Sequence, residues 1–325
     1  MKGYKGFGPG LICKDKQYQE NTVFEEPEAK ICEKGMHFCE NPFDVLDYYD
    51  LIRSDGTPNE FAEVEALDEP KTDDKKKFCS KKLKIGVKLG LSGFIKACVD
   101  FVLEKTIAEA PSENVDSGNS ARIGSSGDSA QIGSSGNYAR IGSSGNYAQI
   151  GSSGNYARIG SSGDSARIGS SGDSAQIGSS GNYAQIGSSG DSARIGSSGN
   201  YARIGSSGYY ARIGSSGNYA RIGSSGNYAR IGSSGDSAQI GSSGYSARIN
   251  CTGSDSVICC AGNGSVAKAP AGCWITLAEW KYDGAKKRYV PVCVKTEYVD
   301  GERIKADTPY MLKNREFVEA ESDED

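Results

Sequence analysis

Two sets of residues in this 325-residue chain have the types and spacing that binding or metal chemistry asks for. The first is an arginine series, Arg122, Arg140, Arg158, Arg194, Arg212, Arg230 and Arg248, in register with an 18-residue period, with Tyr138, Tyr156, Tyr210 and Tyr228 two residues ahead of four of them. Planar guanidinium groups beside aromatic rings suit phosphate or carboxylate contact and base stacking. The series is therefore a candidate face for an anionic polymer: nucleic acid, an acidic glycan or an acidic protein surface. The second set surrounds the only histidine. Cys32, His37 and Cys39, with Cys13 as the nearest fourth, are three or four soft ligands of the kind zinc takes. They lack the paired C-x-x-C spacing, so they are expected to be structural, and neither a metal nor any other cofactor is expected.

The period that spaces the arginines belongs to a longer repeat. An isoleucine recurs every nine residues from Ile123 to Ile249, fifteen times, within copies that read [Tyr/Ser]-Ala-[Arg/Gln]-Ile-Gly-Ser-Ser-Gly-[Asn/Asp]. Gly/Ser-rich composition alone would suggest a flexible linker, but a linker has no reason to keep a register. Alternation along a strand places Ala and Ile on one face and Tyr/Ser and Arg/Gln on the other, with Gly-Ser-Ser-Gly read as the turn. One copy cannot bury its apolar face, whereas stacked coils can, which predicts a parallel β-solenoid. Two copies per 18-residue coil give a two-sheet roll, and alternate copies differ as two faces should. One set carries seven Arg in eight copies, broken by Gln176; the other carries three in seven, Arg167, Arg203 and Arg221 among Gln131, Gln149, Gln185 and Gln239. Neighbouring arginines about 4.8 Å apart would repel by only about 0.9 kcal/mol in water, so solubility alone could also account for the column.

The repeats carry charge opposite to the flanks. Lys+Arg minus Asp+Glu is 17−23 over residues 1–116, 10−5 over 117–249 and 10−13 over 250–325. Neither an apolar leader nor a membrane-length run is seen, which predicts a cytosolic protein. The ten cysteines are expected to be reduced and mostly buried.

The flanks read as globular. Residues 1–110 suggest a small α+β domain. Its features are a helix start at Asn41-Pro42, strands in "KGYKGF", "EFAEVEAL" and "KKLKIGV", and a helix near Gly93 to Lys105 with an apolar stripe. That helix precedes the repeats and is expected to cap the first coil. Residues 111–267 form the solenoid, its last copies decaying around Cys251, Cys259 and Cys260, which take positions read as turn; 268–319 form a β-rich cap with a turn at Asp300-Gly301, and 320–325 an acidic tail.

"GYKGF", "GMHFCENPFDVLDYY" and "FAEVEAL", with "GCWITLAEW" and "VDGERIKADT" after the repeats, resemble an uncharacterised domain family that flanks repeat tracts in proteins of phages and anaerobic gut bacteria. The resemblance implies a phage or prophage setting and transfers no catalytic residue. The stretch through "EVEA" also resembles ADP-ribosyltransferase-like folds, which makes Glu63 and Glu65 the candidate catalytic carboxylates; a solvated strand face explains them equally. The glycines form no phosphate-binding motif. Asp at only 128, 164, 173, 191 and 236 falls short of a calcium-binding nonapeptide array. The expected function is that of a non-enzymatic structural or interaction protein, with the solenoid displaying its end domains to an unknown protein partner or joining copies through them. The alternatives are the anionic-polymer face and, last, an enzymatic N-terminal domain.

Overall fold

The computed structural model describes residues 1–53, 57–107, 115–116 and 118–320. Its centre is a parallel β-solenoid of about nine turns, with pairing offset by eighteen residues throughout: Ile123 lies beside Ile141 and Ile132 beside Ile150. Two sheets result, one from each set of alternate copies, and each has eleven strands. Residues 115–116 and the decayed copies after Ile249 extend the stack beyond the regular repeats. Ile and Ala point inward in both sheets and form one continuous core.

The strand, however, starts two residues later than alternation suggested. It is Arg/Gln-Ile-Gly-Ser, as in Arg194–Ser197, and the corner is Ser-Gly-Asn/Asp-Tyr/Ser. The Tyr/Ser residue sits in the left-handed region, with φ 58° at Tyr201 and 57° at Ser192, so it marks the edge of a sheet and not its face. The preceding Asn or Asp accepts a hydrogen bond from the backbone of the next coil, as Asn182 Oδ1 does from Asn200 N at 2.9 Å. Either residue type supplies that oxygen, which is why the two interchange along the rod. The corner glycine is sterically obligatory: a Cβ on Gly199 would stand 1.9 Å from the Gly181 oxygen.

Both sheets end in antiparallel hairpins at the C-terminal side. Trp274–Asp283 continues one sheet and pairs with Arg288–Tyr298; Tyr310–Lys313 joins the other and pairs with Glu316–Glu319. The parallel edges are thereby closed. Asp300-Gly301 forms a turn, with Gly301 at φ 84° and Asp300 accepting from Glu302 N and Ile304 N, but it leads into a loop and not a return strand. Cys251 and Cys260 occupy the inward position held by Ser in earlier copies, and Cys259 an outward glycine position. Residues 321–325 of the expected acidic tail lie outside the described residues.

The N-terminal region is a seven-stranded sheet in the order 23–25, 82–89, 60–66, 2–7, 36–39, 77–80, 71–72, antiparallel at every pairing. It carries the short helix α1 (Pro42–Val45), whose N-cap Asn41 accepts from Phe43 N, and the long helix α2 (Leu91–Ile107). Helix α2 departs from expectation in its placement. Instead of sitting over the end of the first coil, it lies along one sheet of the solenoid, spanning strands from Arg122–Ser125 to Arg212–Ser215.

Candidate functional site

The reason for that placement is a column of glycines. In each strand from Arg122–Ser125 to Gln239–Ser242 the residue after Ile points outward and is Gly, so the flat face of each sheet has a bare groove flanked by Arg/Gln side chains. On the Arg-rich sheet, α2 fills it. A Cβ on Gly214 would touch Leu91 Cδ2 at 3.3 Å, one on Gly196 Ile95 Cγ1 at 2.8 Å, one on Gly178 Val99 Cγ2 at 3.3 Å, and one on Gly160 Val102 Cβ at 3.3 Å. The helix therefore lays one apolar residue on each coil. Eleven residues of helix rise about 16 Å and three coils about 14 Å, so the two periods nearly coincide.

The arginines of this sheet meet carboxylates in α1 and just after it. Asp44 pairs with Arg158 in a buried contact. Asp50 takes Arg212 at 2.6 Å and Arg194 at 3.4 Å, and Asp47 stands 3.7 Å from Arg194. Gln176, the one break in the column, is buried at 6% exposure beneath the domain. The predicted ligand face is thus, over its middle, the seat of the N-terminal domain: the arginines already have carboxylate partners from within the chain. Arg122 remains exposed, while Arg140, Arg230 and Arg248 are half-buried. Tyr138 stacks on Tyr156 at 5.1 Å and Tyr210 on Tyr228 at 5.0 Å, along the edge of the sheet. Tyr210, Arg212, Tyr228, Arg230 and Arg248, with Ser246, share a cleft of about 300 Å³. Burial lowers the Arg212 pKa, against the pull of Asp50.

The second sheet has the same groove without an occupant among the described residues. Cβ atoms on Gly133, Gly151, Gly169, Gly187, Gly205, Gly223 and Gly241 would meet nothing within 4 Å. None of them has positive φ. Arg167, Arg203 and Arg221 line the groove, exposed, and Tyr183, Tyr201 and Tyr219 stack beside it at 5.0 and 4.9 Å.

The weak metal candidates come together in the N-terminal domain, where Cys13, Cys32, His37 and Cys39 all border one cavity of about 760 Å³. They are not arranged as ligands. His37 Nε2 accepts from Cys32 N at 3.0 Å, Tyr49 donates to Cys13 Sγ at 3.0 Å, and no cluster of three His, Cys, Asp or Glu able to hold a metal occurs among the described residues. Burial, helped by Lys5 and Lys77, lowers the His37 pKa to about 4. Burial likewise raises the Cys39 thiol to about 12. Glu63 and Glu65 lie on the opposite side of the sheet, near Tyr4, Glu40, Lys84 and Glu104. Glu65 faces Lys84 across the strands, which is a solvated strand pairing. No residue pattern pointed to the glycine grooves, the Asp44, Asp47 and Asp50 contacts, or a buried Lys5.

The class defined by this architecture is a two-sheet β-solenoid with a small domain docked along one of its faces. A family model described as a domain of unknown function (DUF7666) matches residues 1–97. No curated protein and no solved structure matches the chain.

Proposed function

We propose that this chain is a non-enzymatic interaction scaffold whose unoccupied solenoid face docks a helix of a partner protein. The observation that carries this is the bare glycine column. Glycine in a strand interior is unfavourable by about 0.5–1 kcal/mol relative to Ala, and neither backbone conformation nor packing among the described residues requires it on this face. On the other face the same glycines are needed, because a helix lies on them. The partner segment is accordingly an apolar-striped helix, with small or branched residues at three- and four-residue steps as in Leu91, Ile95, Val99 and Val102. Carboxylates beside the stripe would meet Arg167, Arg203 and Arg221, as Asp44 and Asp50 meet Arg158 and Arg212. The likeness of both flanks to proteins of phages and gut anaerobes supports a phage or prophage setting, and a cytosolic place of action goes with it; no described helix is long and apolar enough to cross a membrane.

A synthetic helical peptide with the Leu91–Ile107 sequence and added flanking aspartates tests this in a fluorescence-anisotropy titration. Saturable binding that is lost when Gly151, Gly169, Gly187 and Gly205 are all replaced by Val supports the assignment. No binding, or equal binding by the Val variant, overturns it. A dimer in sedimentation that the same substitutions abolish would make a second copy the occupant.

The anionic-polymer alternative rests on the Tyr210, Arg212, Tyr228, Arg230 and Arg248 cleft. Retention on heparin that is lost on replacing Arg230 and Arg248 by Gln would support it.

A further inference from the structure

The N-terminal cavity holds a buried lysine that no carboxylate among the described residues balances. Lys5, in the Lys2–Phe7 strand, is only 5% exposed. Its Nζ donates to the His37 carbonyl at 2.9 Å and to Cys13 Sγ at 3.4 Å, and lies over the rings of Phe7 at 5.4 Å and Tyr18 at 5.6 Å. Among the described residues no carboxylate is within ion-pair distance of it. Of the four carboxylates that border the cavity, Glu26 is engaged with Lys16, Glu28 with Lys34 and Glu33 with Lys30, and Asp15 forms no ion pair with Lys5. A buried ammonium without an anion is strongly unfavourable, and this one faces an open cavity of about 760 Å³, within the range of small-molecule sites.

We propose that this cavity binds a small aromatic carboxylate, its carboxylate received by the Lys5 ammonium and its ring by Tyr18, Tyr48 and Tyr49. An ammonium has three donor directions, and two are taken by His37 and Cys13, leaving one for a ligand oxygen. One buried cation balances a monoanion, which favours a carboxylate over a phosphate dianion. The three tyrosines give the wall planar apolar surface with polar tips, suited to a flat ring. Burial holds the Lys5 pKa below its ordinary value, with Lys14 adding to the effect and Cys13 opposing it. An incoming carboxylate favours the charged form, so binding raises that pKa again.

Benzoate is the probe and benzamide, its neutral isostere, the control, in isothermal titrations of the full chain. The expected result is saturable benzoate binding, with benzamide at least about tenfold weaker as the loss of one charged hydrogen bond implies. Lys5→Met should abolish benzoate binding without lowering the melting temperature. If that variant does not fold, the benzoate and benzamide comparison on the unaltered chain decides. Equal affinity for the two, or no saturation by either up to about 10 mM, overturns the assignment.

Discussion

Asp44 and Arg158, 114 residues apart in the chain, form a buried ion pair that fastens the N-terminal domain to the solenoid. The side chains are 7% and 13% exposed, so each depends on the other for compensation. Removing one partner of such a pair is far more damaging than never having had it. Asp44→Asn should therefore destabilise the docked domain by about 3–5 kcal/mol. Adding Arg158→Gln should recover much of that loss, because the next coil already places Gln176 under the domain. Chemical denaturation of the single and double variants checks the coupling; equal effects from the two would show that the pair contributes nothing.

The same substitution should have opposite signs in the two sheets. On Gly196 a Cβ would stand 2.8 Å from Ile95 Cγ1, so Gly196→Ala pushes against α2 and should cost about 1–3 kcal/mol by overpacking. Gly187, one strand earlier in the chain but in the bare sheet, has nothing within 4 Å, and Gly187→Ala should gain about 0.5–1 kcal/mol from strand propensity. Thermal melts of the two variants provide the comparison. Destabilisation at Gly187 would mean that the bare face carries a constraint absent from its geometry.

These paired glycines also show which features the sequence could disclose. The Ile period restricted the coil to a multiple of nine residues, because stacked identical side chains must repeat at the coil length, and the difference between alternate copies pointed to eighteen. The apolar stripe of α2 was legible too. Its destination was not, since the surface it meets is made of glycine, which leaves no side-chain pattern and reads as turn. Asp44 falls in the first turn of the helix that starts at Asn41-Pro42, and nothing local ties it to an arginine in the repeats. Lys5 sits in a short strand between Gly3 and Gly6, where no alternation of polar and apolar residues reveals which way it points.

Acid should weaken the N-terminal domain through His37. Its pKa is about 4 in the folded chain against an ordinary 6.5, so between these values the unfolded chain binds the extra proton. Stability then falls as pH drops from about 6.5 toward 4, and the His37 contribution flattens below that. The neutral ring accepts from Cys32 N, which a protonated imidazole cannot do. A non-titrating acceptor at the position, His37→Gln, should reduce the slope of stability against pH in this window. An unchanged slope in urea melts between pH 4 and 6.5 would assign the dependence to other groups.

Within one corner of the rod, two neighbouring substitutions should move stability in opposite directions. Gly190 packs against the coil before it so closely that a Cβ would fall 2.1 Å from the Gly172 oxygen and 2.9 Å from Asp173 N. Neither atom has room to yield, because Asp173 Oδ1 already accepts from Asp191 N at 2.9 Å in the same stack. Gly190→Ala must separate the two coils, and since each coil of a solenoid is held only by its neighbours, the break should split the cooperative unfolding transition. Two residues on, Ser192 has φ 57° and donates its backbone N–H to Tyr209 O at 2.7 Å. Ser192→Gly retains that bond and removes the left-handed penalty of about 1–2 kcal/mol, offset by glycine's greater freedom in the unfolded chain. A small rise in melting temperature is expected for Ser192→Gly, against a broadened or two-step melt for Gly190→Ala. A single sharp transition for Gly190→Ala at the native temperature would show that the corner can open without parting the coils.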